Sequence, residues 1–301
     1  MIDVIVIGGG PAGITAALYV ARSGKTVKLL ERESFGGQIA MSPRVENYPS
    51  IKSISGVELI DRMVDQAIDA GVDVDVEDVI KLEKNGDTFI VTTEYSTYET
   101  SSVIIASGAT HRKIVCENSD KFEGKGISYC AVCDGSFYEN EDVCLIGDGN
   151  SALQYALQLS NYCRKVYVVT LFDKFFGEKS VEKLLYGRSN VEIIHNSELV
   201  FLGGDDELEF CRFYKKDENK HFEVNCKGLF VAIGQIPHND VFKEFVDLDE
   251  QGFILTDENL QTKTPGLYAA GDCRRKVLRQ VTTAVSDGSI AAVSACRYIE
   301  K

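Results

Sequence analysis

Positive charge is outnumbered in this chain. Against 46 Asp and Glu stand 32 Lys and Arg, a formal net charge of −14. A nucleic-acid binder carries a basic face, and the balance here points away from that class. No run approaches the roughly 18 consecutive apolar residues of a membrane span, so no membrane partner is expected. The first residues, Ile2-Asp3-Val4-Ile5-Val6-Ile7, read straight into a strand. Neither the basic stretch nor the small-residue cleavage site of a secretory signal is there. No long linker, low-complexity tract or block of like charge interrupts the 301 residues. A disulfide framework is missing too. The cysteines number nine, and seven of them (Cys116, Cys144, Cys163, Cys211, Cys226, Cys273, Cys296) are scattered. That pattern fits a reducing, cytoplasmic location with one special pair.

What remains is ordinary globular composition, 44% apolar and 26% charged. Its length suggests two domains, each able to bury a core. An internal repeat supports this. The β-branched run Ile2–Ile7 leads into Gly8-Gly9-Gly10-Pro11-Ala12-Gly13. Ile14, Ala17, Leu18 and Ala21 follow at helical spacing. A second apolar run, Thr26 to Leu30, closes on Glu31. Later, Val143–Ile146 leads into Gly147-Asp148-Gly149-Asn150-Ser151-Ala152, a helical pattern and the run Lys165–Val169. The order strand, turn, helix, strand thus occurs twice, as in two mononucleotide-binding halves. Further strand-like runs (Thr88–Thr93, Val103–Ala106, Gly228–Ile233, Leu267–Ala270) and an Ala-rich helical segment, Thr282–Ile299, complete the pattern. The expected fold class is α/β.

A strand, a G-x-G-x-x-G turn and a helix aim backbone N–H groups and a helix N-terminus at a pyrophosphate. Gly8 permits the sharp turn, Gly10 the approach of phosphate, and Gly13 close helix packing. Glu31 lies 23 residues past Gly8, where an acid accepts from a ribose hydroxyl. The first turn therefore reads as a dinucleotide site. Its bland counterpart is a plain βαβ turn with a coincidental Glu.

Cys130-Ala131-Val132-Cys133-Asp134-Gly135 carries the chemistry. Two thiols with two residues between them can close a small disulfide ring, and such motifs lower a thiol's pKa toward about 7. Exchange then passes through a mixed disulfide. A zinc site needs further Cys or His at ligand spacing, and His111, His195, His221 and His238 are far apart, so no metal is expected. Two structural thiols at a turn are the other reading. Asp134 beside the pair is an acid/base candidate or an Asx-turn residue ahead of Gly135.

Several separated segments resemble the low-molecular-weight thioredoxin reductases. They are Phe35-Gly36-Gly37-Gln38, Val45-Glu46-Asn47-Tyr48-Pro49, the Cys130–Gly135 motif (family C-A-T-C-D-G), Ala269-Ala270-Gly271-Asp272 and Arg279-Gln280. The resemblance covers nearly the whole chain. It implies two Rossmann-like three-layer domains. A discontinuous FAD domain would comprise residues 1–113 and 239–301, and an inserted NAD(P)-like domain, 114–238, would carry the cysteines. It implies FAD contacts from Gly8, Gly10, Pro11, Ala12, Gly13, Glu31, Gly37, Gln38, Asn47, Gly271, Asp272, Arg279, Gln280 and Val281. Cys133 would take electrons from the flavin, Cys130 would attack the disulfide of a thioredoxin-like protein, and Asp134 would move a proton. A homodimer is implied as well. So is rotation of one domain on the other, with hinges near residues 112–116 and 234–240.

The chain departs from the family in places. Ser50 replaces Gly, Val132 replaces Thr, and Gln154 replaces Glu. The offset of 23 from Gly147 reaches Thr170, and the family's H-R-R-x-x-x-R is here Thr170-Leu171-Phe172-Asp173-Lys174-Phe175-Phe176. At Thr170-Leu171-Phe172 neither the acid of an NAD site nor the Arg of an NADP site is present, and Asp173 is a poor substitute acid. The second turn itself (Gly147, Gly149, Asn150, Ser151, Ala152) is intact. The expected donor is therefore ferredoxin or NADH. An NADPH-dependent enzyme with an atypical site is the alternative. Arg274-Arg275-Lys276 is a candidate dock for an acidic carrier such as ferredoxin, or a solvated loop. Rival classes are a ferredoxin–NADP reductase of similar fold, the flavoprotein of an alkyl hydroperoxide reductase, and a non-enzymatic dinucleotide sensor. The Cys pair opposes the first and third of these, and the second needs an additional thioredoxin-like region.

Overall fold

A computed structural model describes residues 1–42 and 44–301. The chain forms two compact units, Met1–Thr110 with Ile236–Lys301, and His111–Gln235.

The first unit is built on a sheet whose parallel strands run Asp73–Val76, Val27–Glu31, Ile2–Ile7, Thr97–Ile105 and Leu267–Ala269 in spatial order. The antiparallel strands Thr88–Thr93 and Val79–Asn85 extend it. Val4, Ile5 and Val6 are fully buried. A parallel strand is covered on both faces, which is why it reads as a continuous apolar run. Val4, Val6, Leu29 and Ile104 face one way, onto the helices Pro11–Arg22 and Val281–Ile299. Ile5, Ile7, Leu30 and Ile105 face the other way, onto Phe89, Val91, Phe242 and Ile254. Helix Pro11–Arg22 starts with Pro at its first position, where the missing N–H costs nothing. Helix Val281–Ile299 starts at a reciprocal capping box between Gln280 and Thr283.

The second unit repeats this layering. Its parallel sheet runs Val191–Ile194, Lys165–Val169, Asp142–Ile146, Gly228–Val231, Ile127–Ser128. One face packs on helix Asn150–Leu159 through Ala152, Leu153, Ala156 and Leu159. The other packs on a three-stranded antiparallel sheet, Ser197–Gly203, Phe210–Lys215 and Lys220–Asn225. Both glycine turns therefore leave the carboxyl edge of a parallel sheet, where open α/β sheets bind their ligands.

Candidate active site

In the first unit, four of the expected contact groups stand at that edge. Gly8 follows strand Ile2–Ile7, and Glu31 ends strand Val27–Glu31. Gly271 and Asp272 follow strand Leu267–Ala269, and Val281 opens the last helix at its Gln280 cap. Gly8 has φ +110°, and a side chain there would run into the Ala106 carbonyl. A methyl on Gly13 would overlap the Gly8 carbonyl oxygen, so glycine is needed for the helix to start where it does. Gly10 caps the helix, and Pro11, Ala12 and Gly13 form its first turn. The Gly9 N–H donates to Glu31 Oε2 at 2.6 Å, which fixes the acid beside the turn. Gly37 and Gln38 open a short 3₁₀ helix, Gly37–Met41, whose preceding Gly36 N–H donates to the Gly9 carbonyl at 2.8 Å. Asn47 Nδ2 donates to Gln280 Oε1 at 3.0 Å, joining two segments 233 residues apart. The Arg279 guanidinium lies over the Phe253 ring at 4.1 Å.

Asp272 is the telling residue. Its Oδ1 is buried with no hydrogen-bond partner, and burial pushes its carboxyl up from the ordinary range. Buried polar atoms are normally satisfied, so an orphan acceptor at a sheet edge marks a place for a ligand's donor. The segment that carries Asp272 is held from behind by Asp287 on the last helix. That carboxylate accepts the Gly271 N–H at 3.0 Å, pairs with Arg274 through Nε and Nη2 at 2.9 Å each, and meets Lys276 Nζ at 2.8 Å. Burial pushes Asp287 up, but the two cations outweigh it and hold the carboxyl below its usual range. This corrects the reading of Arg274-Arg275-Lys276 as a dock. Arg274 and Lys276 point inward onto Asp287, and only Arg275 of the three is exposed.

In the second unit, the cysteines also leave the sheet's carboxyl edge, just past strand Ile127–Ser128. Cys130 and Cys133 are joined by a disulfide, and their Cα atoms are 5.3 Å apart. The short helix Ala131–Asp134 puts Cys130 at its cap, where Cys130 Sγ accepts the Cys133 N–H at 3.2 Å. Ser128 stands under the motif, buried. Its hydroxyl donates to Asp134 Oδ2 at 2.6 Å and accepts the Cys130 N–H at 3.1 Å. Gly135 packs against the Tyr162 hydroxyl.

The second glycine turn, Gly147 to Ala152, lies along the same edge, with helix Asn150–Leu159 opening from it. Asn150 Oδ1 accepts the Glu178 N–H at 2.7 Å, while Ser151 and Ala152 lie in the helix's first turn. Thr170 is fully buried. Its hydroxyl is shared between His195 Nδ1 and the Phe172 carbonyl, both at 2.7 Å. Leu171, Phe172 and Phe176 are exposed at 40, 50 and 60%, and the two Phe rings meet edge to face at 5.3 Å. Asp173 and Lys174 are exposed between them.

The pyridine nucleotide-disulphide oxidoreductase family model matches residues 2–288. A thioredoxin reductase of Peptoclostridium acidaminophilum is 37% identical, covering 99% of this chain and 97% of that protein. A 34.2 kDa protein in the rubredoxin operon of Clostridium pasteurianum is 39% identical, with the same coverage of 99% and 97%. The crystal structure of thioredoxin reductase from Streptococcus pyogenes matches with a TM-score of 0.94 at 36% identity, over 100% of this chain and 98% of that one. The chain belongs to the pyridine nucleotide-disulphide oxidoreductase family. Its relatives set it with the low-molecular-weight thioredoxin reductases, and it is an FAD-dependent oxidoreductase.

The first unit of this oxidoreductase fits a flavin dinucleotide. The Gly8–Gly13 turn leaves room for a pyrophosphate, Glu31 stands at the ribose-reading place, and Asp272 offers an unsatisfied oxygen to a polyol hydroxyl. No helix among the described residues is long and apolar enough to cross a membrane, and no cluster of metal-ligating side chains occurs among them. Three residues at these sites were not singled out from sequence: Ser128, Asp148 and Asp287. Asp287 did leave a signal. It falls at helical spacing with Ala284, Ala291 and Ala295, so an acid sits on the helix's buried face.

Proposed function

We propose that this enzyme is a thioredoxin-disulfide reductase whose electrons leave through Cys130 and Cys133 to a thioredoxin-like protein. The observation that carries the reading is the Cys130–Cys133 disulfide itself, set at a sheet edge with a carboxylate held beside it by Ser128. FAD, when bound, supplies the two-electron chemistry, and the Gly8–Gly13 turn, Glu31, Gln38, Asn47, Asp272, Arg279 and Gln280 are the residues that would hold it.

The protein's own groups do the rest. Two electrons and two protons open the disulfide to a dithiol. The Cys130 thiolate then attacks the partner's disulfide, forming a mixed disulfide and releasing one partner thiolate. Cys133 attacks Cys130 Sγ, which frees the second partner thiolate and closes the ring again. Asp134 takes and returns the thiol proton, and Ser128 keeps its carboxylate aimed. A homodimer belongs to the same reading.

Ferredoxin or NADH is the donor in this reading, rather than NADPH. Leu171, Phe172 and Phe176 offer no cation to a 2′-phosphate, which Arg would hold as a bidentate partner. NADH is supported by the intact second turn, where Gly149 opens on free space. The test is anaerobic spectroscopy of the oxidised protein, adding NADPH, NADH or reduced ferredoxin in turn and following the flavin band. Ferredoxin or NADH should bleach it rapidly, and rapid bleaching by micromolar NADPH would refute the donor assignment. Cys133→Ser should keep the flavin yet fail to reduce thioredoxin, and normal turnover by that variant would defeat the roles of the pair.

A further inference from the structure

The two glycine turns can be compared residue by residue. Gly8, Gly9, Gly10 and Gly13 correspond to Gly147, Asp148, Gly149 and Ala152, and Glu31 corresponds to Thr170. In the first half the acid ends the second strand, and its Oε2 accepts the N–H of Gly9, the residue between the two glycines, at 2.6 Å. In the second half the strand ends on a buried Thr whose hydroxyl is already engaged. The acid stands on the turn instead. Asp148 Oδ1 accepts the Phe172 N–H at 3.3 Å, and the Leu171 N–H also reaches this carboxylate. The same carboxylate-to-backbone contact is thus made twice, with donor and acceptor elements exchanged. In both halves a negative charge lies between the turn and the end of the second strand, the place where a Rossmann half reads the adenosine ribose.

We propose that Asp148 is a specificity-determining residue of the second glycine turn, whose carboxylate excludes dinucleotides carrying a 2′-phosphate. This rests on the reading that the donor is not NADPH, and it names the residue responsible. Losing the family's His and Arg residues from positions 170–176, where Lys174 alone is basic, takes away attraction. Asp148 adds repulsion, because like charges a few ångströms apart at a half-buried site repel far more than in bulk water. Specificity commonly needs such a repulsive element as well as the loss of an attractive one. His195 lies close enough to favour its charged form. Asp173 is exposed alongside, and the Lys174 ammonium lies over the Phe176 ring at 5.4 Å. The carboxylate is also held in place. The Asp148 carbonyl accepts the Phe176 N–H at 2.8 Å, so the loop that includes Phe172 is tied to the turn at both ends of this residue. Burial lifts the Asp148 carboxyl above its ordinary range, and the backbone N–H groups of Phe172 and Leu171, with His195, offset only part of that lift.

The test titrates the flavin-loaded protein with NADP⁺ and NAD⁺ by calorimetry. The variants are Asp148→Gly, Asp148→Asn, and the pair Leu171→Arg with Phe172→Arg, the last made with and without Asp148→Gly. Asp148→Gly keeps the backbone bond to Phe176, and the flavin band with circular dichroism reports folding. The arginine pair should raise NADP⁺ affinity at least tenfold more when Asp148 is replaced than when it remains. NAD⁺ affinity should change less than threefold, and Asp148→Asn should behave like Asp148→Gly. Equal gains with and without Asp148, an Asn variant that behaves like the unaltered protein, or no NADP⁺ binding by any variant would each overturn the proposal. Disulfide reduction by the dithionite-reduced protein needs no dinucleotide. Its failure would strike the reductase reading and leave the titrations to decide Asp148 separately.

Discussion

Replacing Asp287 by Asn removes one negative charge from beneath the Gly271–Lys276 segment and leaves two cations facing each other. The side chains concerned are 7% exposed for Asp287, 6% for Lys276 and 19% for Arg274, so the screening that makes surface pairs weak does not apply. Breaking a buried pair by removing one partner costs about 3–5 kcal/mol. At about 2–4 °C per kcal/mol, that lowers the melting temperature of the first unit by roughly 6–20 °C. The segment carries Asp272, so FAD should also dissociate faster. The pH dependence has a definite sign. The Asp287 carboxyl lies below its ordinary value in the folded protein, so its contribution is fully present above the unfolded value of about 4 and is lost as pH falls through the folded value. The gap between the two proteins should be widest near neutrality and shrink below about pH 4. Adding Lys276→Met to Asp287→Asn should recover part of the loss, because one unpaired cation is gone. Thermal unfolding by circular dichroism, alongside release of flavin fluorescence, measures both effects. A variant melting within about 2 °C of the parent at pH 7 would refute this account of the Gly271–Lys276 segment.

Gly288→Ala should be among the costlier changes on the last helix. Its methyl would overlap the Ala12 carbonyl oxygen at the crossing with helix Pro11–Arg22, and overpacking of this kind costs about 1–3 kcal/mol. Melting and flavin retention should fall together, and a neutral result would show that the helices can slide apart freely. Ser128→Ala removes the donor to Asp134 and the acceptor of the Cys130 N–H. A charge-assisted hydrogen bond is worth about 1.5–3 kcal/mol, so thiol–disulfide exchange at pH 7 should slow about tenfold or more with the flavin band unchanged. Rates within twofold of the parent would show that Ser128 only supports the turn.

Much of the architecture was legible along the chain because its signals are local. The run Ile2–Ile7, the Gly8–Gly13 turn and Glu31 fall within one strand–helix–strand unit, and so do their counterparts from Asp142 to Val169. Cys130 and Cys133 lie three positions apart, so their pairing is visible in six letters. Burial on both faces accounts for the apolar strands, and those were read without the fold. The antiparallel sheet of Ser197–Gly203, Phe210–Lys215 and Lys220–Asn225 was not read. No G-x-G-x-x-G turn or repeat marks its strands along the chain.

By itself, then, the sequence determined the two glycine turns, the Cys130–Cys133 pair and the absence of an H-R-R-x-x-x-R pattern at positions 170–176, because each is a matter of neighbouring residue types. Tertiary structure decided what the remaining charges do. Asp287 meets Arg274 and Lys276 only after the last helix folds back onto the sheet edge, and Asn47 meets Gln280 across 233 residues. Asp148 acquires its meaning from the end of another strand, and the unsatisfied oxygen of Asp272 exists only once the core has closed around it. A charge's effect depends on its distance from other charges and from water, and both distances are set by packing.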